Sequence, residues 1–307
     1  MAPTRRTAVA LALIALIGTY VLLVTLGRTT GGARPAPDIS VARQVSADQP
    51  AKLGGGKLLA IMPSANAATT KARAATAEAD AEEAARLQRF DGFYNGDGNA
   101  PWDIQMPQPT VVEFESAGAF RGQVLDVGCG SGDNAIFLAS KGYNVTGVDF
   151  IGTAITLGRA RSAVLAKEGK QLALQFHVGS AFELPVVLGA GAKYDTVLDS
   201  GFFHTLHSDR LRDEYAASLA AVVRPGSRLM LLAMRAKEKA GDGQTEDGTI
   251  LGFRVNVQGS ALTQQLAQAG WRVDSIVAKT FDNEKRAEDG TISKWTRPMW
   301  AVNATKL

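Results

Sequence analysis

A single cysteine, Cys129, stands in 307 residues, which excludes an intramolecular disulfide framework. Acidic and basic residues nearly balance, 30 against 33, so the chain lacks the positive excess of a nucleic-acid binder. Aromatics are few, at 7%, and form no basic-aromatic stripe. No segment repeats, which excludes solenoids and propellers. No metal site is expected. What is present is an ordinary globular balance, 46% hydrophobic and 21% charged, enough for one domain of about 200 residues with additions.

One long apolar run does occur. Residues 8–27, AVALALIALIGTYVLLVTLG, carry no charge and are bracketed by Arg5, Arg6 and Arg28. Twenty helical residues rise about 30 Å, the thickness of a bilayer's hydrocarbon core. A cleaved signal peptide would share the basic start and apolar middle. No small-x-small site follows closely, Ala65-Asn66-Ala67 being distant, so residues 1–27 are read as an uncleaved membrane anchor. Residues 28–89 read as a tether. They are Gly/Pro-rich at first, then rich in Ala and charge with little apolar face, which predicts a solvated helical spacer.

From Phe90 to Leu307 strands and helices alternate. QVLDV (123–127), NVTGVD (144–149), LALQFHV (172–178), YDTVLD (194–199) and RLMLLAM (228–234) read as strands. Helices are expected at 133–141, 152–168, 208–223 and 259–269, the first two stopped by Gly142 and Gly169. WRVDSIVAKTF (271–281) and KWTRPMWAV (294–302) close the chain with no helix between them. The pattern predicts an α/β fold, a doubly wound, mostly parallel seven-stranded sheet with an antiparallel C-terminal hairpin at its edge. Ligands on such sheets bind outside the carboxyl ends of the strands, where Asp126, Asp149 and Asp199 fall.

VLDVGCGSGDNA (124–135) supports two ligands. From Gly130 it fits G-x-G-x-x-G/A, a dinucleotide site, and from Asp126 it fits D-x-G-x-G-x-G, a loop for S-adenosylmethionine. Gly128, Gly130 and Gly132 let main chain approach a ligand in either case. Asp126 and Asp133 make the loop acidic, which disfavours a pyrophosphate and suits an ammonium and a sulfonium. Asp149, about 20 residues on, is placed for both ribose hydroxyls. Cys129, inside the loop, is read as a packed small residue rather than a reactive thiol.

With these stretches in place, residues 90–307 resemble a class I S-adenosylmethionine-dependent methyltransferase. The domain is most similar to the small-molecule group of thiol, halide and thiopurine methyltransferases and the bacterial enzymes that methylate quinones and heterocyclic phenols. PWDIQMPQP (101–109) is similar to that group's PWDIGRPQP, departing at Gln105 and Met106, and LDSGFFHTL (198–206) to its fourth-strand signature. The resemblance implies that Trp102 packs beside the cofactor's methionine end. Asp126, Gly128 and Gly130 would hold that end, with Gly132 completing the loop, and Asp149 would hold the ribose. Ser180 and Ala181 would lie along the adenine, although many members carry an aspartate where Ser180 stands. Asp199 would close the pocket near the transferred methyl.

A sulfonium is already an activated methyl donor, so the reaction asks for alignment and desolvation more than covalent help. A thiol acceptor needs no strong base; a phenol or hydroquinone does, and His204 serves either as that base or as a structural residue of its loop. Phe202 and Phe203 either line an apolar cavity or pack the core, and Tyr215 is read as packed. The expected activity is methyl transfer to a small apolar acceptor, a thiol, phenol or quinone-derived hydroxyl. The alternatives are a nicotinamide-dependent oxidoreductase and a membrane-tethered, non-catalytic cofactor-binding module. Because S-adenosylmethionine is a cytosolic metabolite, the catalytic domain is expected on the cytoplasmic side.

Overall fold

The computed structural model describes residues 84–95, 100–235, 249–250, 253–254, 257–287 and 289–307. The anchor expected over 8–27 and the tether up to residue 83 lie outside the described residues. Among those described, no helix is long and apolar enough to cross a membrane.

Seven strands build one sheet. In chain order they are β1 (Gln123–Val127), β2 (Asn144–Asp149), β3 (Leu174–Val178), β4 (Tyr194–Ser200), β5 (Val223–Met234), β8 (Trp271–Arg286) and β9 (Ile292–Lys306), with β6 (Thr249–Ile250) and β7 (Phe253–Arg254) forming a separate small ladder. The sheet order is β3-β2-β1-β4-β5-β9-β8. The first five strands are parallel, and β9 runs antiparallel between β5 and β8. Helices comprise residues 84–95 (α1), Pro109–Ser116 (α2), Asp133–Ser140 (α3), Gly152–Lys167 (α4), Leu184–Val187 (α5), Asp209–Val222 (α6) and Gly259–Gln268 (α7).

The central strands read as continuous apolar runs because both of their faces are covered. Leu125, Val197, Leu229 and Leu231 face one core with Tyr215 and Leu219 of α6. Val124, Leu198, Met230 and Leu232 face the other, with Leu138 of α3. Burying each such side chain contributes about 1.5–3 kcal/mol. The helix stops fall where expected, with Gly142 and Gly169 at φ 95° and 83°.

Two features depart from expectation. The closing strands run 16 and 15 residues, well past the limits of the apolar alternation. The ladder of β9 with β5 ends at Met234–Met299, followed by one Arg235 N–H bond to Pro298 O at 3.0 Å; beyond that point, among the described residues, the β9 ladder is with β8 alone. This overhang extends past the carboxyl end of β5, on the ligand side of the sheet. The second departure is the domain start. Helix α1 begins six residues before Phe90, and Phe90, Phe93 and Tyr94 pack around Trp102 with ring centroids 5.7, 4.9 and 6.4 Å away. Residues 84–89, expected in the tether, form the first half of this helix, exposed at 84, 85, 88 and 89 and half-buried at Arg86 and Leu87.

Candidate active site

The carboxyl ends of β1, β2 and β4 and the overhanging hairpin enclose one cavity of about 160 Å³. Its floor is the glycine loop. Gly128 and Gly130 sit at φ 67° and 56°, and a Cβ at either would come within 2.7 Å of Phe202 or 2.6 Å of the Tyr94 hydroxyl. Only glycine meets both the backbone angle and the spacing. Gly132 caps α3 just behind the loop and does not border the cavity.

Asp149 holds this loop in place. One carboxylate oxygen accepts the Gly130 amide and the other the Ile151 amide, each at 2.8 Å. Burial raises the carboxyl pKa against the pull of those two donors. Asp126 is buried beneath the loop with both oxygens unpartnered. Burial first, then the charges of Asp199 and Asp149, push its pKa well up. Of these carboxylates only Asp149 lines the cavity; Asp126, expected at the donor's methionine end, lies buried behind it.

Asp133 requires a correction. It does not add free negative charge to the loop, because Arg161 of α4 binds it at 2.7 Å. The same guanidinium binds Asp103 at 2.9 Å and Ser131 Oγ at 2.8 Å, tying the PW segment to the glycine loop. The Asp133 pKa stands at about 7: burial raises it most, and Arg161 offsets only part.

Asp199 is also corrected. It does not border the cavity. One oxygen accepts the amides of Phe202 and Phe203 at 2.9 and 3.1 Å, and the other accepts the Tyr215 hydroxyl at 2.9 Å. Burial lifts its pKa to about 6. Its work is to shape the turn that presents Ser200, Phe202 and His204. Phe202 lines the cavity while Phe203 is buried in the core.

His204 does line the cavity, on the 3-10 turn Phe203–Thr205. Its Nδ1 is buried without a partner, as is Ser200 Oγ, and burial lowers the imidazole pKa to about 4. Trp102 lines it too, its indole N–H donating to the Tyr94 hydroxyl at 2.8 Å. Ser180 and Ala181 border the far end, and the Ser180 hydroxyl accepts the Phe182 amide at 3.2 Å, capping a short turn. Cys129 packs against β2, its thiol pKa raised by burial, and stays outside the cavity lining.

Two groups of lining residues were missed from sequence. Arg86, Leu87 and Phe90 come from α1, and Phe281, Asn283, Trp295 and Arg297 from the hairpin overhang. The hairpin is held down by Glu284 N–H on Pro101 O at 2.8 Å and by the Gln108 amide, which clasps Asp282 through both backbone groups at 2.9 and 3.0 Å. In the same segment Gln105 adopts φ 56°, where the resembling enzymes carry glycine.

A family described as Methyltransferase domain matches residues 124–226. A 2-heptyl-1-hydroxyquinolin-4(1H)-one methyltransferase of Mycobacteroides abscessus is 27% identical over 208 residues, 66% of this chain and 84% of that one. A probable thiol methyltransferase 2 of Arabidopsis thaliana is 26% identical over 147 residues, spanning 47% of this chain and 61% of the relative. A solved structure from work on converting a disulfide bond into a thioacetal group during echinomycin biosynthesis superposes with a TM-score of 0.60 at 30% identity. It covers 72% of this chain and 92% of its own. The chain belongs to the class I S-adenosylmethionine-dependent methyltransferases. It is an S-adenosylmethionine-dependent methyltransferase, and the nicotinamide and non-catalytic readings fall.

Proposed function

We propose that the enzyme methylates a small apolar acceptor, a thiol, phenol or quinone-derived hydroxyl. The observation that carries this reading is the make-up of the cavity. Its lining sets the Gly128 and Gly130 backbone and Asp149 together with apolar side chains, Phe202, Met234, Phe281 and Met299. S-adenosylmethionine, when bound, supplies a methyl group already activated on a sulfonium. Asp149 would hold its ribose, the Gly128–Gly130 backbone and Trp102 its methionine portion, and Ser180 and Ala181 its adenine. The apolar wall then excludes water and aligns the acceptor. The charge-free run at 8–27 supports attachment of the enzyme to a membrane, with the catalytic domain cytoplasmic.

An acceptor arriving protonated would donate a hydrogen bond from its hydroxyl or thiol to His204. His204 is a weak base here: a phenol near pKa 10 and an imidazole at about 4 differ by about six pKa units, or about 8 kcal/mol for complete ground-state proton transfer. His204→Ala should therefore cost about tenfold in turnover on phenols, short of the roughly 10²–10⁴-fold of a well-matched general base. On aryl thiols, which ionise unaided, the loss should stay within about threefold. The sign of the pH dependence follows from the lowered pKa. His204 is already neutral above pH of about 4, so no rise in rate near pH 6.5 belongs to it. Methyl transfer from labelled donor to paired phenols and thiols tests this. Equal losses on both, at every pH, would leave His204 only a shaper of the loop. No transfer to any thiol, phenol or hydroquinone would remove the proposed acceptor class.

A further inference from the structure

The hairpin overhang carries an arrangement that methyl transfer alone does not demand. In the β8–β9 ladder Phe281 pairs directly with Arg297, and Asn283 with Trp295. Side chains directly opposite each other share one face of a ladder, and alternate residues along a strand do too. These four therefore form a compact two-by-two patch, and all four line the cavity. Glu284, one residue out of phase, faces the other way and meets Arg286 and Lys294 instead. It leaves the patch without a carboxylate.

Arg297 makes no hydrogen bond or ion pair among the described residues, although it is half-buried at the cavity wall. The other guanidinium in the lining, Arg86, is engaged with Thr205 Oγ1 at 3.5 Å and lies over the Phe90 ring. The carboxylates all sit elsewhere. Asp149 ends β2, four strand positions from β9 in the sheet order, or about 19 Å at about 4.8 Å per strand. Between the two ends lie Ser200 Oγ and His204 Nδ1 at the end of β4, both buried and unpartnered. The cavity lining thus holds one carboxylate, Asp149, at β2 and one uncommitted cation, Arg297, at the hairpin beside Phe281 and Trp295.

We propose that Phe281, Asn283, Trp295 and Arg297 select a planar aromatic acceptor bound as an anion, with its charged sulfur or oxygen against Arg297. The proposal rests on the methyl-transfer reading above and names its substrate class. Two aromatic side chains flanking a guanidinium suit a flat ring with charge at its edge, and Asn283 adds a neutral polar contact. Binding the anion also supplies what His204 cannot, an acceptor already deprotonated. Methylation then cancels the charge. The acceptor's lone pair becomes the new bond to carbon, and the electrons of the broken carbon–sulfur bond stay on the donor sulfur. Arg297 consequently holds substrate and not product, which favours product release.

The test uses the full chain with S-adenosylhomocysteine bound, and calorimetric binding of 4-nitrothiophenolate, 4-nitrophenolate and their neutral methylated forms. Wild type should bind at least one anion tenfold or more tighter than its methylated form. Arg297→Met should weaken anion binding by about tenfold to a hundredfold and leave the neutral compounds within about twofold, erasing the preference. Arg297→Lys should restore part of it. Whichever anion binds tighter tells sulfur from oxygen. The proposal is overturned if neither anion binds, if wild type holds the neutral forms as tightly, or if the preference survives in Arg297→Met. It is also overturned if Arg297→Met weakens S-adenosylmethionine binding instead, because the guanidinium would then serve the donor's carboxylate. Failure of the methyl-transfer reading looks different: labelled donor would give no methylated product from any thiol, phenol or hydroquinone, charged or neutral.

Discussion

Replacing Asp149 with alanine removes the one carboxylate that serves both the empty fold and the bound donor, so its cost should appear in two separable measurements. Without ligand, the change deletes two charge-assisted hydrogen bonds, to the amides of Gly130 and Ile151. Each is worth about 1.5–3 kcal/mol, a gross loss of about 3–6 kcal/mol. Part returns, because the carboxyl's raised pKa shows that its burial outweighs those bonds in favour of the neutral form. A net loss of about 1–3 kcal/mol is expected in urea unfolding followed by circular dichroism, with the slope unchanged.

With donor present, the same change removes the proposed contacts to the ribose hydroxyls, and the dissociation constant should rise by about tenfold to several hundredfold. The two effects meet in ligand-induced stabilisation. At a donor concentration about 100 times the wild-type Kd, wild type gains about 2.7 kcal/mol. A hundredfold weaker variant at that concentration gains only about 0.4 kcal/mol. Asp149→Asn should fall between in stability, because its amide oxygen can accept one backbone N–H while its NH₂ opposes the other. It should bind donor almost as poorly as alanine does. Donor binding unchanged by calorimetry in Asp149→Ala would refute the ribose assignment. Unchanged stability of the ligand-free variant would refute the loop-anchoring role.

Gln105→Gly should stabilise the protein by about 0.5–1 kcal/mol, since a residue at φ 56° pays for a left-handed backbone that glycine adopts freely; a lower midpoint in thermal unfolding would mean that the Gln105 side chain contributes more than the strain costs. Removing residues 1–83 should leave a folded domain with wild-type donor affinity, whereas removing 1–95 should abolish donor binding by stripping Phe90 and Tyr94 from around Trp102 and Gly130; equal calorimetric affinity in the two truncations would show that α1 is dispensable.

What could be read without coordinates was what backbone geometry dictates locally. Three alternating glycines after a buried strand leave few conformations, so the loop at 128–132 and the carboxylate opposite it at Asp149 follow from spacing. Asp199 shows where that logic stops. At the end of β4 it has the same local signature as Asp149, and the two differ in what lies across from them. Tyr215, sixteen residues on, donates to Asp199 and turns it under the loop. Asp133 likewise looked free until Arg161 of α4 closed on it, a contact between helices that no window of sequence contains. The acceptor wall was hidden for a topological reason. Phe281 and Arg297 gain their meaning because, among the described residues, the β5–β9 ladder ends at Met234 while β9 and β8 go on pairing with each other. A strand's length relative to its partner is a property of the sheet, not of either segment. Residues that hold a shared cofactor therefore tend to be legible in a chain, while those that choose the acceptor lie where elements of unequal length overhang. That is where this enzyme's individual chemistry should be sought, at Arg297 before any residue of the glycine loop.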